Sequence, residues 1–400
     1  MDSINSVSEV EVALSYHYVC AGCGKPVAEE PLPTFSHCEQ CGNNPLIIQY
    51  NFQPPYSKSN IDSKERSMWR YRKFLPLADE EEAISLGEGW TPILPLEKTA
   101  QRLGFTQLLL KDESMNPTGS FKARGLSMAV TKAKSNGIEC CIIPTAGNAG
   151  GALSAYCAKA GIEAIVVMPA HTPSTFQMEC MMYGAEVILV NGLISDCAKK
   201  VAQLKTQRNC FDISTMKEPY RLEGKKTMGY EIAEQLNWEL PDVILYPAGG
   251  GTGLIGIWKA FKEMQSMGWL TRKLPKMIAV QAANCNPLAL TYMGLQKDAS
   301  QYKGQPTIAN GLAVPNPFAE RLMLNVLQES NGTVVSVTEQ AIVDSWKTLA
   351  KTEGLLLAPE GAALFAALKD LQQKNILTGA ENILLLNTGT GYKYLENLTL

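Results

Sequence analysis

One lysine at the predicted start of a helix has the type and position needed for covalent chemistry. Lys122 lies within the segment NPTGSFKARG, residues 116–125, which follows an apolar run and precedes a helix-length stretch. The first turn of a helix is electropositive, so an amine placed there loses its proton more easily than in water. A neutral amine attacks carbonyl carbons, which makes Lys122 a candidate nucleophile. Taken alone, this segment fits an ordinary surface lysine as well.

A glycine-rich loop provides a candidate phosphate site. It follows the apolar run 243–247, opens a further predicted helix, and consists of Gly249, Gly250, Gly251, Thr252 and Gly253. Glycines let backbone N–H groups approach an anion, and the start of a helix favours negative charge. Residues 251–256 also match the pattern GxGxxG. The next apolar run, however, ends at Val280-Gln281, without the acid that a dinucleotide ribose needs.

A second loop of small residues suits a carboxylate. It consists of Thr145, Ala146, Gly147 and Asn148, between an apolar run and a helix-length segment. The amide of Asn148 can bond an oxygen, although a tight turn explains this loop equally well when it is taken alone. A reactive lysine, a phosphate cradle and a carboxylate loop together indicate a small phosphorylated cofactor with an aldehyde, and pyridoxal phosphate fits that description.

Four cysteines have the spacing of a metal ribbon. Cys20 and Cys23 form one CxxC pair, and Cys38 and Cys41 form a second pair after fourteen intervening residues. Two such pairs can direct four thiolates at one tetrahedral zinc ion. The alternative is a ribbon that folds without metal against the next domain. The other seven cysteines are expected to stay reduced and to serve as small core residues.

Composition and charge exclude several classes of protein. Of the 400 residues, 46% are apolar and 19% are charged, which is typical of a globular chain. The net charge is 36 − 39 = −3, and no basic block argues for a nucleic acid or an anionic membrane as a partner. No apolar run reaches the roughly 18 residues of a membrane span. No signal peptide is evident at the N-terminus, so we expect a cytoplasmic protein.

The elements that must position these residues follow from the hydrophobic pattern. Short apolar runs alternate with helix-length segments, and the runs are 108–110, 140–143, 164–168, 186–190, 243–247, 276–280 and 383–387. This alternation predicts an α/β fold with open, mostly parallel sheets covered by helices on both faces. Active sites of such sheets lie at the carboxyl ends of the strands, where the three loops fall.

The sequence resembles the fold-type II (tryptophan synthase β-like) pyridoxal-phosphate enzymes and, within that family, the threonine synthases. The four ribbon cysteines are the first feature along the chain that is similar to this family. Four further segments follow in the same order: residues 116–125 are similar to NPTGSFKDRG, 145–148 to SxGN, 218–227 to NPYRLEGQKT and 387–393 to LTGxGxK. The resemblance covers about residue 15 to the C-terminus.

The resemblance implies a role for each matching residue. Lys122 would bond the cofactor aldehyde and move protons, and Arg221 would bind a substrate phosphate with its planar fork. The other implied cofactor contacts are Phe121 beside the cofactor, Asn148 at its ring hydroxyl, Thr388 at its ring nitrogen and Gly249 to Gly253 at its phosphate. Thr145, Ala146, Gly147 and Asn148 would bind the substrate carboxylate.

The implied activity is conversion of O-phospho-L-homoserine and water to L-threonine and phosphate, on a small amino-acid substrate. Several residues depart from the threonine synthase pattern, mostly around its substrate-phosphate pocket; they are Ala123, Ala149, Thr215, Met216 and Gly253. These departures keep open a second interpretation, a threonine/serine dehydratase or a β-replacement enzyme similar to cysteate synthase. A third is a zinc-ribbon binding module with an inactive α/β body.

Three regions are expected along the chain. Residues 1–50 form the zinc-ribbon-like segment, residues 51–143 and 221–400 form a large cofactor-binding domain, and residues 144–220 form a small mobile domain. The cofactor is expected between the two larger bodies, where closure of the small domain would exclude water. The resemblance also implies a homodimer.

Overall fold

The computed structural model describes residues 15–27, 38, 41, 44–52 and 56–397. The strands are β1 (Ser15–Cys20), β2 (Pro26–Val27), β3 (Leu46–Asn51), β4 (Ile93–Pro95), β5 (Gln107–Asp112), β6 (Cys140–Pro144), β7 (Glu163–Pro169), β8 (Glu186–Val190), β9 (Phe211–Asp212), β10 (Val243–Pro247), β11 (Lys276–Ala282), β12 (Thr333–Val337) and β13 (Asn382–Asn387). The helices are α1 (Glu97–Leu103), α2 (Lys122–Ser135), α3 (Asn148–Ala160), α4 (Ser174–Met182), α5 (Ile194–Gln207), α6 (Tyr220–Gln235), α7 (Thr252–Ser266), α8 (Pro287–Tyr292), α9 (Glu320–Glu329), α10 (Glu339–Glu353) and α11 (Pro359–Gln373).

The larger sheet has six strands in the order β12-β11-β10-β13-β5-β4. Its neighbours are parallel except at the edge, where β4 pairs antiparallel with β5. Side chains of β10 alternate between two cores. Val243 and Leu245 belong to the core that includes α11, whereas Ile244 and Tyr246 belong to the core that includes α7. Helices therefore cover both faces, as a parallel sheet of apolar strands requires.

The smaller sheet has four parallel strands in the order β8-β7-β6-β9. Each of the seven predicted apolar runs lies within a strand of one of the two sheets. The predicted α/β class with mostly parallel sheets is therefore confirmed. The domain boundaries at 50, 143 and 220 stay a prediction. Within the described part of the chain, no helix combines the length and the apolar character that crossing a bilayer demands.

A third, antiparallel sheet, β2-β1-β3, carries the N-terminal cysteines and packs on α6. The hydroxyls of Tyr18 and Tyr220 lie 2.6 Å apart, and Tyr50 donates a hydrogen bond of 2.5 Å to Glu223. Buried tyrosine hydroxyls need such partners. These contacts attach the small sheet to the helix on which Arg221 lies.

Cys140 and Cys210 correct the expectation that the cysteines outside the ribbon stay reduced. The structure joins them in a disulfide, with Cα atoms 4.7 Å apart. Because β6 and β9 are neighbouring parallel strands, with Cys141 opposite Phe211, the residues just before this pair lie side by side. The remaining free thiols outside the ribbon are buried, as predicted for small core residues; they are Cys141, Cys157, Cys180, Cys197 and Cys285.

Candidate active site

A cavity of about 870 Å³ lies where the loops after β6, β10 and β13 meet the start of α2. This is the carboxyl edge of the sheets, where the sequence predicts the site. The sequence-predicted residues that line it are Phe121, Lys122, Asn148, Gly249, Gly250, Gly251, Thr252 and Thr388. The sequence-predicted residues outside its lining are Thr145, Ala146, Gly147, Arg221 and Gly253. The structure thus brings residues of all three loops to one cavity. The loop 145–148 contributes Asn148 to the lining, and the loop 249–253 contributes its first four residues.

Lys122 is the first residue of α2, and it lines this cavity. The backbone N–H of Phe121 donates to the carbonyl of Thr388 at 3.1 Å, which fixes the start of the helix against the loop after β13. Burial and, to a lesser extent, the charge of Arg221 lower the pKa of Lys122 to about 8, although Glu360 opposes the shift. A minor fraction of the amine is therefore neutral and nucleophilic at pH 7, and this fraction reaches about half near pH 8.

The loop 249–253 leaves no room for side chains at its glycines. A Cβ atom on Gly249 would overlap the carbonyl oxygen of Gly311, and Gly251 has a φ of +75°, which favours glycine. Thr252 is the first residue of α7, so the free N–H groups at the start of that helix are directed toward the loop. The shape and the donors fit a phosphate group.

Buried polar atoms without partners border the same cavity. Among the described residues that line it, Asn148 and Glu360 have buried oxygens without a hydrogen-bond partner, Oδ1 and Oε2 respectively. Buried polar atoms of native proteins are normally satisfied, so these atoms are available to a bound ligand. Together with the phosphate cradle and the amine of Lys122, they fit a phosphorylated ring that carries an aldehyde.

Glu360 and Tyr394 are site residues that sequence reasoning missed. Asn148 Nδ2 donates to Tyr394 Oη at 3.3 Å, and Tyr394 Oη donates to Glu360 Oε1 at 3.2 Å. The same carboxylate oxygen accepts the N–H of Gly311 at 2.5 Å, and burial raises the pKa of Glu360. A signal was present, since Glu360 is the only charged residue in the first ten residues of α11, PEGAALFAAL. An isolated charge in an apolar helix indicates a specific partner.

Arg221 lies behind the cavity in the first turn of α6. Its Nη1 donates to the carbonyl of Ile213 at 2.8 Å, and its backbone N–H donates to Glu218 at 2.9 Å. The guanidinium atoms Nε and Nη2 are buried without a partner. Burial lowers the pKa of Arg221 and raises that of Glu218 to about 7. The guanidinium therefore has two N–H groups in a fork that an anion can accept.

The four ribbon cysteines meet at one point. Their Sγ atoms all lie within 4.8 Å of one another; those of Cys20 and Cys41 are 3.2 Å apart, and those of Cys23 and Cys38 are 4.0 Å apart. Tetrahedral Zn–S bonds of about 2.3 Å place neighbouring sulfurs about 3.8 Å apart. The cluster therefore fits a single zinc ion.

Comparison with known proteins places the chain in a family. The family model described as "Pyridoxal-phosphate dependent enzyme" matches residues 84–389. The chain belongs to this family, whose cofactor is the one that the cavity fits. It is 35% identical to the threonine synthase of Methanocaldococcus jannaschii over 94% of this chain and 92% of that protein. It is 34% identical to the threonine synthase of Methanosarcina acetivorans over 94% of this chain and 91% of that protein.

Solved structures with lower identity share the fold. Diaminopropionate ammonia lyase from Escherichia coli superposes with a TM-score of 0.68 at 19% identity, covering 87% of this chain and 92% of that one. Serine racemase from Dictyostelium discoideum gives a TM-score of 0.62 at 23% identity, covering 78% of this chain and 93% of that one. These likenesses show the fold-type II architecture and do not distinguish between substrates.

Proposed function

We propose that the chain has threonine synthase activity, a pyridoxal-phosphate-dependent lyase reaction that converts O-phospho-L-homoserine and water to L-threonine and phosphate. The observation that carries the proposal is the identity of 35% and 34% to two threonine synthases over more than nine-tenths of each chain. The unpartnered N–H groups of Arg221 add support, because a phosphorylated substrate brings an anion that they can bind.

The residues around the cavity divide between cofactor and substrate. When bound, pyridoxal phosphate withdraws electrons from the carbon next to the substrate amine, so that this carbon gives up its proton. The backbone N–H groups of residues 249–252 would hold the phosphate of the cofactor. Phe121, Asn148 and Thr388 would contact its ring, and residues 145–148 would hold the substrate carboxylate.

Lys122 is the group that moves protons. Its pKa of about 8 lets the amine accept the proton from the substrate α carbon and later return one. Arg221 would fix the distal phosphate, so that the substrate cannot rotate while one base serves neighbouring carbons. Removal of a β proton, loss of phosphate from the γ carbon and protonation of that γ carbon precede addition of water at the β carbon.

A substrate panel on the purified protein tests this proposal. We expect release of phosphate from O-phosphohomoserine with threonine formed in equal amount, and little reaction with threonine, serine or O-phosphoserine. Ready deamination of threonine or serine without this activity would show a dehydratase. Use of O-phosphoserine with an added nucleophile would show a β-replacement enzyme.

We also propose that Cys20, Cys23, Cys38 and Cys41 bind a structural zinc ion. The approach of their four sulfurs supports this assignment. Elemental analysis is expected to find about one zinc per chain, lost in Cys41→Ser and kept in the buried thiol control Cys285→Ala. Zinc-free protein with an intact ribbon would favour the metal-free alternative. The homodimer and the cytoplasmic location stay predictions from the sequence.

A further inference from the structure

Lys225 is a buried amine next to the phosphate loop that the proposed function does not use. It lies on α6 one turn after Arg221 and is fully buried. Its Nζ donates to Thr252 Oγ1 at 2.6 Å and lies 4.9 Å from the ring centroid of Phe121.

Other buried lysines of this fold have a carboxylate partner, whereas Lys225 does not. Lys111 Nζ lies 2.8 Å from Glu231, and Lys226 Nζ lies 2.7 Å from Glu223. Among residues 56–397, no carboxylate forms an ion pair with Lys225, and Thr252 Oγ1 is the hydrogen-bond acceptor that its ammonium contacts. A buried ammonium is costly unless a negative group compensates it.

The charges nearest to Lys225 increase the free-energy cost of burying its ammonium. Arg221 and Lys122 are both cationic; together with burial they lower the pKa of Lys225 well below its usual range, and Glu218 opposes this shift only in part. Three basic side chains therefore interact with one another next to the loop 249–252, and Lys225 contacts that loop through Thr252. Such a cluster is stabilised by an anion with more than one negative charge.

Thr252 connects this amine to the cavity. It lines the cavity, begins α7 and accepts the hydrogen bond from Lys225. We propose that Lys225 is a positioning residue. Its ammonium holds Thr252 by a hydrogen bond and places positive charge near the phosphate group of the cofactor. The proposal rests on the proposed function, because it requires that pyridoxal phosphate binds here.

Paired binding measurements on Lys225→Gln and Lys225→Met test the role of the charge. Cofactor-free protein is titrated with pyridoxal phosphate and, separately, with pyridoxal, which lacks the phosphate; binding is followed by absorbance. We expect both variants to bind pyridoxal phosphate about ten- to hundredfold more weakly, as for loss of a charge-assisted contact. Binding of pyridoxal should change by less than about twofold, since it has no phosphate.

The two substitutions separate charge from packing. Glutamine can still donate to Thr252 Oγ1 and methionine cannot, so weakened binding in Lys225→Met alone would show a purely structural hydrogen bond and overturn the proposal. A loss of affinity for pyridoxal as large as the loss of affinity for pyridoxal phosphate would overturn the proposal as well. The control Lys262→Gln removes an exposed charge from the same helix as Thr252 and should bind both compounds like the parent protein.

Further outcomes distinguish this inference from the proposed function. If the parent protein binds no pyridoxal phosphate, both fail. If the parent binds it and both Lys225 variants bind it equally well, only the role of Lys225 fails. A higher KM for O-phosphohomoserine with unchanged cofactor affinity would assign the charge to the substrate phosphate and would also overturn the proposal.

Discussion

Two clusters of buried charge lie between helices α2 and α6, and they differ in whether their charges are paired. The paired cluster consists of Lys111, Glu113, Arg124 and Glu231. Arg124 Nε lies 2.6 Å from Glu113, Arg124 Nη1 lies 2.5 Å from Glu231, and Lys111 Nζ lies 2.8 Å from Glu231. The open cluster consists of Lys122, Arg221 and Lys225, and none of these three forms an ion pair among the described residues.

The pKa shifts show the consequence of this difference. Burial acts to lower the pKa of both buried arginines. Glu113 and Glu231 overcome this effect and raise the pKa of Arg124, whereas the pKa of Arg221 stays lowered. The paired cluster therefore stabilises the contact of the two helices, and the open cluster keeps cationic groups available for a ligand. Fully paired buried charge indicates architecture, and unpaired buried charge indicates a site.

Replacing Lys122 tests the open cluster most directly. We expect Lys122→Ala to lower kcat for threonine formation by at least about 10³-fold, because the proposed function assigns the proton transfers to its amine. The free energy of unfolding should stay equal or rise, since a poorly compensated buried amine is removed. Phosphate release and thermal unfolding measure both effects. Borohydride reduction followed by mass analysis should place the cofactor on Lys122 in the parent; labelling of another lysine would contradict this assignment.

The matched pair Arg124→Leu and Arg221→Leu tests whether the two clusters differ in stability. Arg124→Leu should lower the free energy of unfolding by about 3–5 kcal/mol, because Glu113 loses its counter-charge in the interior and Glu231 keeps only Lys111. Arg221→Leu should lower it by about 1 kcal/mol or less, since few contacts are lost. Urea unfolding measures both. Equal losses would show that both clusters are architectural.

The same Arg221→Leu variant tests the ligand of the open cluster. We expect its KM for O-phosphohomoserine to rise about a hundredfold, because a bidentate contact to phosphate is removed. Its affinity for pyridoxal phosphate should change little if Arg221 serves the substrate alone. An unchanged KM, measured by phosphate release, would remove Arg221 from substrate binding and favour an unphosphorylated substrate.

The pKa of Lys122 predicts how the rate of cofactor binding depends on pH, and this is the smallest of the expected effects. An amine with a pKa of about 8 is mostly charged at pH 7 and mostly neutral at pH 9. The rate at which cofactor-free protein bonds pyridoxal phosphate should therefore rise about tenfold between these values and then level off. Stopped-flow absorbance measures this rate. A rate that keeps rising toward pH 10.5 would show that the amine has an ordinary pKa.

Local sequence patterns predicted much of the fold and of the candidate site. The apolar runs predicted seven of the ten strands of the two larger sheets, because burial on two faces leaves a continuous apolar signal; β4, β9 and β12 were not predicted. Glycines at 249–251 predicted a close backbone approach, and the position of Lys122 after a loop predicted a helix start; both depend on neighbours along the chain. The motifs also indicated the family, and the comparisons bear this out.

Contacts between distant parts of the chain were decided only by the tertiary structure. Tyr394 meets Asn148 across 246 positions, and the disulfide joins cysteines separated by 70 positions. No local pattern distinguishes Arg124, whose charge is paired, from Arg221, whose charge is open, because both arginines lie near the start of a helix. Periodicity reports which side of an element is buried, whereas the partner of a buried charge depends on how separate elements pack.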